Sequence, residues 1–356
     1  MYPIILAILM AFAAGTTFVI EKHYSAEEKL INLPAHSSLN AKLPRSAHSH
    51  EDKKTEAMSL YLTLTREDEH NIWAPFQLAA SSAQKGHTEL AERYLQLSAK
   101  RGLWYYYTLL EDRAFKSIQQ SDTYRSILAE TKTRYEQHAQ KFEGKPQYTV
   151  PHGTPPTEGW PTVVYLHPYG KAAKTNLQKQ LLFAETGVAY IELNGTQMLA
   201  EESFRWSNFS EESTQSAIQR TLKELTPRLN LNPQQVYLAA HGQGALHAAN
   251  LMAKYPQFYN GALLIAPRGN IPPAQHSLAE NKRIMIAYSG QKNFKDHALA
   301  LHFSNLFNGR NQVETGHFFH RENAIVEWQE RFNQPLRWMM GKTSDASPWT
   351  RKGSSE

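Results

Sequence analysis

The residues of this chain best placed to do chemistry gather around His241, Gly242 and Gln243. They belong to Val236-Tyr237-Leu238-Ala239-Ala240-His241-Gly242-Gln243-Gly244-Ala245, which runs on into Leu246-His247-Ala248-Ala249-Asn250-Leu251-Met252. A short apolar run, a turn of small residues and an Ala-rich run with helical apolar spacing predict a strand, a sharp bend and a helix packed close to a sheet. In the pattern G-x-S-x-G, a serine at the apex of such a bend attacks a carbonyl, and the next backbone N–H helps to hold the oxyanion. Here the apex residue is Gly242. An element built to present a nucleophile has no side chain to present.

Composition narrows the chemistry further. At 356 residues, 41% hydrophobic and 20% charged, the chain has room for one α/β domain and a smaller module. It has no cysteine, which excludes thiol catalysis, disulfides, Cys-ligated zinc and iron–sulfur clusters. The net charge of +5 is spread over scattered Lys and Arg with no basic block, so nucleic-acid binding is not predicted. No cofactor or metal is expected. The pair His317-x-x-His320 lacks a third ligand, and the histidines between residues 21 and 55 lack a compact ligand spacing. Gly242-x-Gly244 does not extend to a dinucleotide fingerprint, because the third position is His247.

Residues 1–20 are nearly all apolar from Tyr2 to Ile20, and Ala11-Phe12-Ala13 matches an A-x-A cleavage pattern. The segment reads as a signal peptide or a membrane anchor. The expectation is an exported or anchored protein on the periplasmic side of a bacterial inner membrane. Residues 21–55, rich in Ser, His and Pro, read as a linker, and 341–356 as a disordered tail. Residues 56–140 are helical in pattern. Leu78, Ala79 and Ser82 before Gly86, then Ala91, Leu95 and Ser98 before Gly102, alternate small and large residues as paired helices do. That alternation resembles a tetratricopeptide helix pair and suggests an all-α module able to engage a protein partner. The aromatic run Trp104 to Tyr107 is expected mainly in helix packing.

From 141 to 340 apolar runs alternate with helical segments: Pro161–Gly170, a strand running into a turn, then Gly187–Leu193, Val236–Ala240, Gly261–Ala266 and Arg283–Tyr288. This predicts a mostly parallel sheet with helices on both faces, and its lead-in, 141–161, shows neither helix nor clear strand. Several motifs follow one another in a set order. His167-Pro168-Tyr169-Gly170 follows the first strand, the bend at Gly242 comes some 70 residues on, Tyr255-Pro256 closes its helix, and Ser289-Gly290 and Gly316-His317-Phe318 end later strands. The domain thereby resembles the α/β-hydrolase family of the phospholipase/carboxylesterase or dienelactone-hydrolase type.

The resemblance implies a serine-hydrolase triad with Gly242 at the nucleophile position, Asn293 at the acid position and His317 at the base position. Ser and Asp are both lost. It implies oxyanion donors at the backbone of Tyr169 and Gln243, in a pocket that also includes His167, His241 and Trp206. Pro168, in place of that family's glycine, lacks an N–H. Loss of the serine alone costs a comparable triad about a million-fold. The expectation is therefore a degenerate hydrolase domain that binds a small acyl or ester-like ligand or a partner. Two alternatives stay open: an active ester hydrolase using Ser289 and Asp296 as displaced nucleophile and acid, and a helical-repeat adaptor.

Overall fold

A computed structural model describes residues 50–174, 177–289, 295–318 and 328–343. Among these residues, those up to 142 together with 198–203 form one compact unit, and the remainder form a second. The apolar segment Tyr2–Ile20 lies outside the described residues. Among those described, no helix is long and apolar enough to cross a membrane.

The first unit is helical: α1 (His50–Glu67), α2 (Trp73–Gln84), α3 (Thr88–Lys100), α4 (Tyr106–Glu111), a 3-10 turn (Arg113–Ser117) and α5 (Asp122–Ala139). Helix α1 starts at His50, within the stretch expected as linker. Helix α2 is buried at every position from Ala74 to Ala83, so it is the core helix of the unit. Its small residues let α3 approach with Ala91, Leu95, Ser98 and Ala99. Two arginines close helix ends. Arg101 donates to the carbonyls of Thr65, Asp68 and Asn71 at 2.7–3.1 Å, and Arg134 to that of Ala99 at 2.7 Å. Trp104 and Tyr105 are buried, with Trp104 stacked on His138 at 4.2 Å, while Tyr106 and Tyr107 are half-buried.

The second unit is a mixed α/β layer structure. Its strands are β1 (Pro146–Thr149), β2 (Trp160–Leu166), β3 (Ala189–Leu193), β6 (Leu231–His241), β7 (Gly261–Ile265), β8 (Arg283–Ser289) and β9 (Gln312–Phe318). A separate hairpin of β4 (Gln197–Ala200) and β5 (Ser203–Arg205) precedes β6 in the chain. The sheet order is β1-β3-β2-β6-β7-β8-β9, antiparallel only between β1 and β3. Helices α6 (Leu177–Thr186), α7 (Glu212–Leu229), α8 (Gln243–Lys254), α9 (Lys295–Phe307) and α10 (Trp328–Met339) cover it.

One core joins the sheet to α7, α8 and α9 through Ile218, Leu225, Leu246, Leu251 and Phe303. The other joins its opposite face to α6 and α10 through Leu182, Phe183, Leu336 and Met339. Covering both faces suits strands that are apolar without alternation. The lead-in 141–161 is corrected by β1, a four-residue strand at the sheet edge. Pro146 opens it, at a strand start where the missing N–H breaks no ladder.

Candidate functional site

The chain leaves β2 toward β3 on one side of the sheet and leaves β6 toward β7 on the other, so strand order reverses between β2 and β6. Loops at the carboxyl ends of strands flanking such a reversal form a crevice where α/β sheets gather ligands. Two predicted segments meet here, the turn His167–Gly170 after β2 and the bend at Gly242 after β6.

Gly242 adopts φ 58°, ψ −118°, a region costly for residues with a side chain, and serves as the N-cap of α8. Its N–H donates to Ile265 O at 2.9 Å, and its carbonyl accepts from the N–H groups of Ala245, Leu246 and Arg268 at 3.0–3.3 Å. The residue is buried. Two places on, a β-carbon on Gly244 would lie 2.3 Å from Leu166 O and 2.8 Å from His167 O. Only glycine lets α8 begin this close to β2. Gln243 opens α8, and its N–H belongs to the first helical turn, which has no acceptor within the helix.

The predicted pocket side chains are mostly used to build the bend. Gln243 is buried. Its Oε1 accepts from the Trp206 N–H at 2.9 Å and its Nε2 donates to the Trp206 carbonyl at 2.9 Å and to Asn208 Oδ1 at 3.2 Å. Trp206, expected at a pocket wall, is 0% exposed. It donates through Nε1 to His167 O at 2.8 Å and packs on the rings of His167 and His247. It is a packed support beneath the bend because its indole N–H finds its acceptor inside. His167 is buried too. Its Nδ1–H donates to Pro168 O at 2.7 Å and its Nε2 accepts from Gly195 N–H at 2.8 Å, which fixes the neutral tautomer and ties the turn to the end of β3. Tyr169 is partly exposed, and the turn is pinned by Gly170 N–H on Phe204 O at 2.8 Å. His241 ends β6 and is partly exposed.

The predicted base, His317, and the alternative nucleophile, Ser289, lie on neighbouring strands. His317 is in β9, paired in register with Tyr288 of β8, and Ser289 pairs with Phe318. Asn293 lies outside the described residues, as does His320. Asp296 stands in the first turn of α9 and is 1% exposed, enclosed deeply for a carboxyl group.

Two features escaped the sequence reading. Arg268, 3% exposed, follows β7 and bonds Gly242 through its backbone. Ala266, just past the end of β7, has φ 46° although it is not glycine. Neither departs from ordinary loop composition, so only the fold brings them to the apex. A pair that resembles a nucleophile and its base also appears, Thr214 donating to His247 Nδ1 at 2.9 Å, but both residues are sealed in the core. Among the described residues no cluster of three or more His, Cys, Asp or Glu could hold a metal. A surface depression of about 450 Å³ at the start of α3, lined by Gly86 to Leu90 and Arg93, contains none of the predicted site residues.

No protein-family model and no curated protein matches the chain. Solved structures similar to it include a protein of unknown function, Atu2452, from Agrobacterium tumefaciens, at 14% identity and TM-score 0.44, covering 54% of this chain and 95% of that one. A carboxylesterase from Bacillus cereus is 18% identical at TM-score 0.40, covering 56% and 94%. Esterase 2 of Thermogutta terrifontis is 12% identical at TM-score 0.43, covering 56% and 90%.

Proposed function

We propose that the α/β unit is a degenerate hydrolase domain that binds a small acyl or ester-like ligand or a partner without turning it over. The carrying observation is Gly242. It occupies the apex of a strand–bend–helix element at the point of strand-order reversal, in a backbone conformation suited to a strained nucleophile, and it has no side chain. Hydrolysis through an acyl-enzyme needs an oxygen or sulfur atom there. The reading assigns binding to the backbone N–H groups of Gln243 and Tyr169, donors of the kind that hold a carbonyl or anionic oxygen with no nucleophile present. The helical unit, with its tetratricopeptide-like spacing, is assigned to a protein partner. Export or anchoring through Tyr2–Ile20 would place both units at the cell envelope.

The displaced-nucleophile alternative would draw on Ser289 of β8 and His317 of the neighbouring strand β9, where Ser289 pairs with Phe318 and His317 with Tyr288. The test is turnover of short aryl esters by the wild-type chain and by His317→Ala. Equal, background-level rates are expected. Wild-type turnover that His317→Ala abolishes would overturn the proposal.

A further inference from the structure

The apex and the turn that faces it fit one another. A β-carbon built on Gly242 would meet Pro168 Cβ at 3.0 Å and Pro168 Cα at 3.5 Å, with Arg268 Cγ at 4.0 Å. Carbon atoms prefer separations of about 3.5–4.0 Å, so one side would have to yield by a few tenths of an ångström. Neither side yields easily. The pyrrolidine ring fixes φ of Pro168. Its carbonyl accepts from His167 Nδ1 at 2.7 Å and from Lys171 N–H at 3.3 Å, and the same turn is held by Gly170 on Phe204. Gly242 is held by the four backbone bonds given above.

We infer that Pro168 is a steric lock on the apex: its β-carbon opposes any side chain at position 242, which could enter only if the turn or the bend shifted by a few tenths of an ångström, so that two positions, not one, act against nucleophilic chemistry at this site. The two departures from the hydrolase pattern, proline at 168 and glycine at 242, are then one packed arrangement. The consequence for catalysis rests on Gly242 marking a vacated nucleophile position; the packing does not.

The test is a cycle in the full chain. Gly242→Ala is introduced into the wild type, into Pro168→Ala, which removes the ring and keeps the β-carbon, and into Pro168→Gly, which removes both. Melting midpoints are then measured. The loss caused by Gly242→Ala is expected to be largest in the wild type, no larger in Pro168→Ala, which keeps the β-carbon on a backbone freed from the ring, and smaller than in the wild type by at least ~2 °C in Pro168→Gly. Equal losses in all three backgrounds would overturn the lock. Should Gly242→Ala not fold in the wild-type background, its recovery as folded protein with Pro168→Gly supports the inference, and failure there too overturns it. Robust fluorophosphonate labelling of the single variant Gly242→Ser would also overturn it. Ester turnover by the wild type would defeat the proposed function and leave this cycle's outcome unaffected.

Discussion

His247 shows how a reactive side chain becomes structure. It lies on α8 five residues past Gly242, fully enclosed, with Nδ1 accepting from the Thr214 hydroxyl at 2.9 Å and Nε2–H donating to Ser207 O at 3.1 Å. Burial pushes its pKa down to about 4, the Glu211 carboxylate and the Ser207 carbonyl opposing weakly. In the unfolded chain a histidine titrates near 6.5. Between those values the unfolded state binds a proton that the folded state refuses, so stability is full above pH ~6.5 and is lost as pH falls toward 4, by about 3 kcal/mol in all. Denaturant unfolding from pH 7 to 4 is expected to show this slope in the wild type and a shallower one in His247→Gln. Identical slopes would show that His247 is not the titrating group. The same sealing disqualifies Thr214 and His247 as a catalytic pair: neither can meet a substrate. Gly242 differs because its absent side chain, not a buried one, removes the chemistry.

At the scale of elements, cations close helices. Arg101 serves the end of α1, Arg134 the end of α3, Arg283 the end of α10 through Trp338 O at 3.0 Å, and Lys342 the end of α6 through Thr186 O. Each meets carbonyls at or just past the C-terminal end of a helix, its negative dipole end, and adds to the turn bonds that the Ala99 and Trp338 carbonyls already accept from the Gly102 and Gly341 N–H groups. Arg101→Ala is expected to cost about 1–3 kcal/mol, read as faster hydrogen exchange over residues 65–71 with α9 unaffected. No local change would contradict the capping role. The strands β2, β3, β6, β7 and β8 were legible from mostly apolar runs bounded by turn residues, although β6 begins at Leu231, five residues before its apolar run, and β3 includes Glu192. Strand β1 was not, since Gln147 and Tyr148 are exposed at the sheet edge and give no apolar run. The bend was legible from small residues alone, because Gly244 must let α8 touch β2. The fit of Pro168 against Gly242 was not, since the residues are far apart in sequence and only the parallel pairing of β2 with β6 brings their strand ends together. Trp206 was misplaced for a related reason: an aromatic in a loop reads alike whether it lines a pocket or braces a turn.

For the whole molecule, the same cations bear on the basic charge. Several that raise the formal charge to +5 are engaged with backbone inside their own unit, or with carboxylates as Lys254 is with Glu211, so the number of cations overstates what a partner would meet. The described residues then form a helical unit and an α/β unit whose bend after β6 carries a glycine at its apex, and the proposed function assigns binding without turnover to the strand ends around it. Treatment of the wild-type chain with a serine-reactive fluorophosphonate, followed by intact-mass measurement, tests that account most directly. The account predicts no mass increase beyond what His317→Ala also shows. A single stoichiometric adduct on the wild type, absent from His317→Ala, would contradict it.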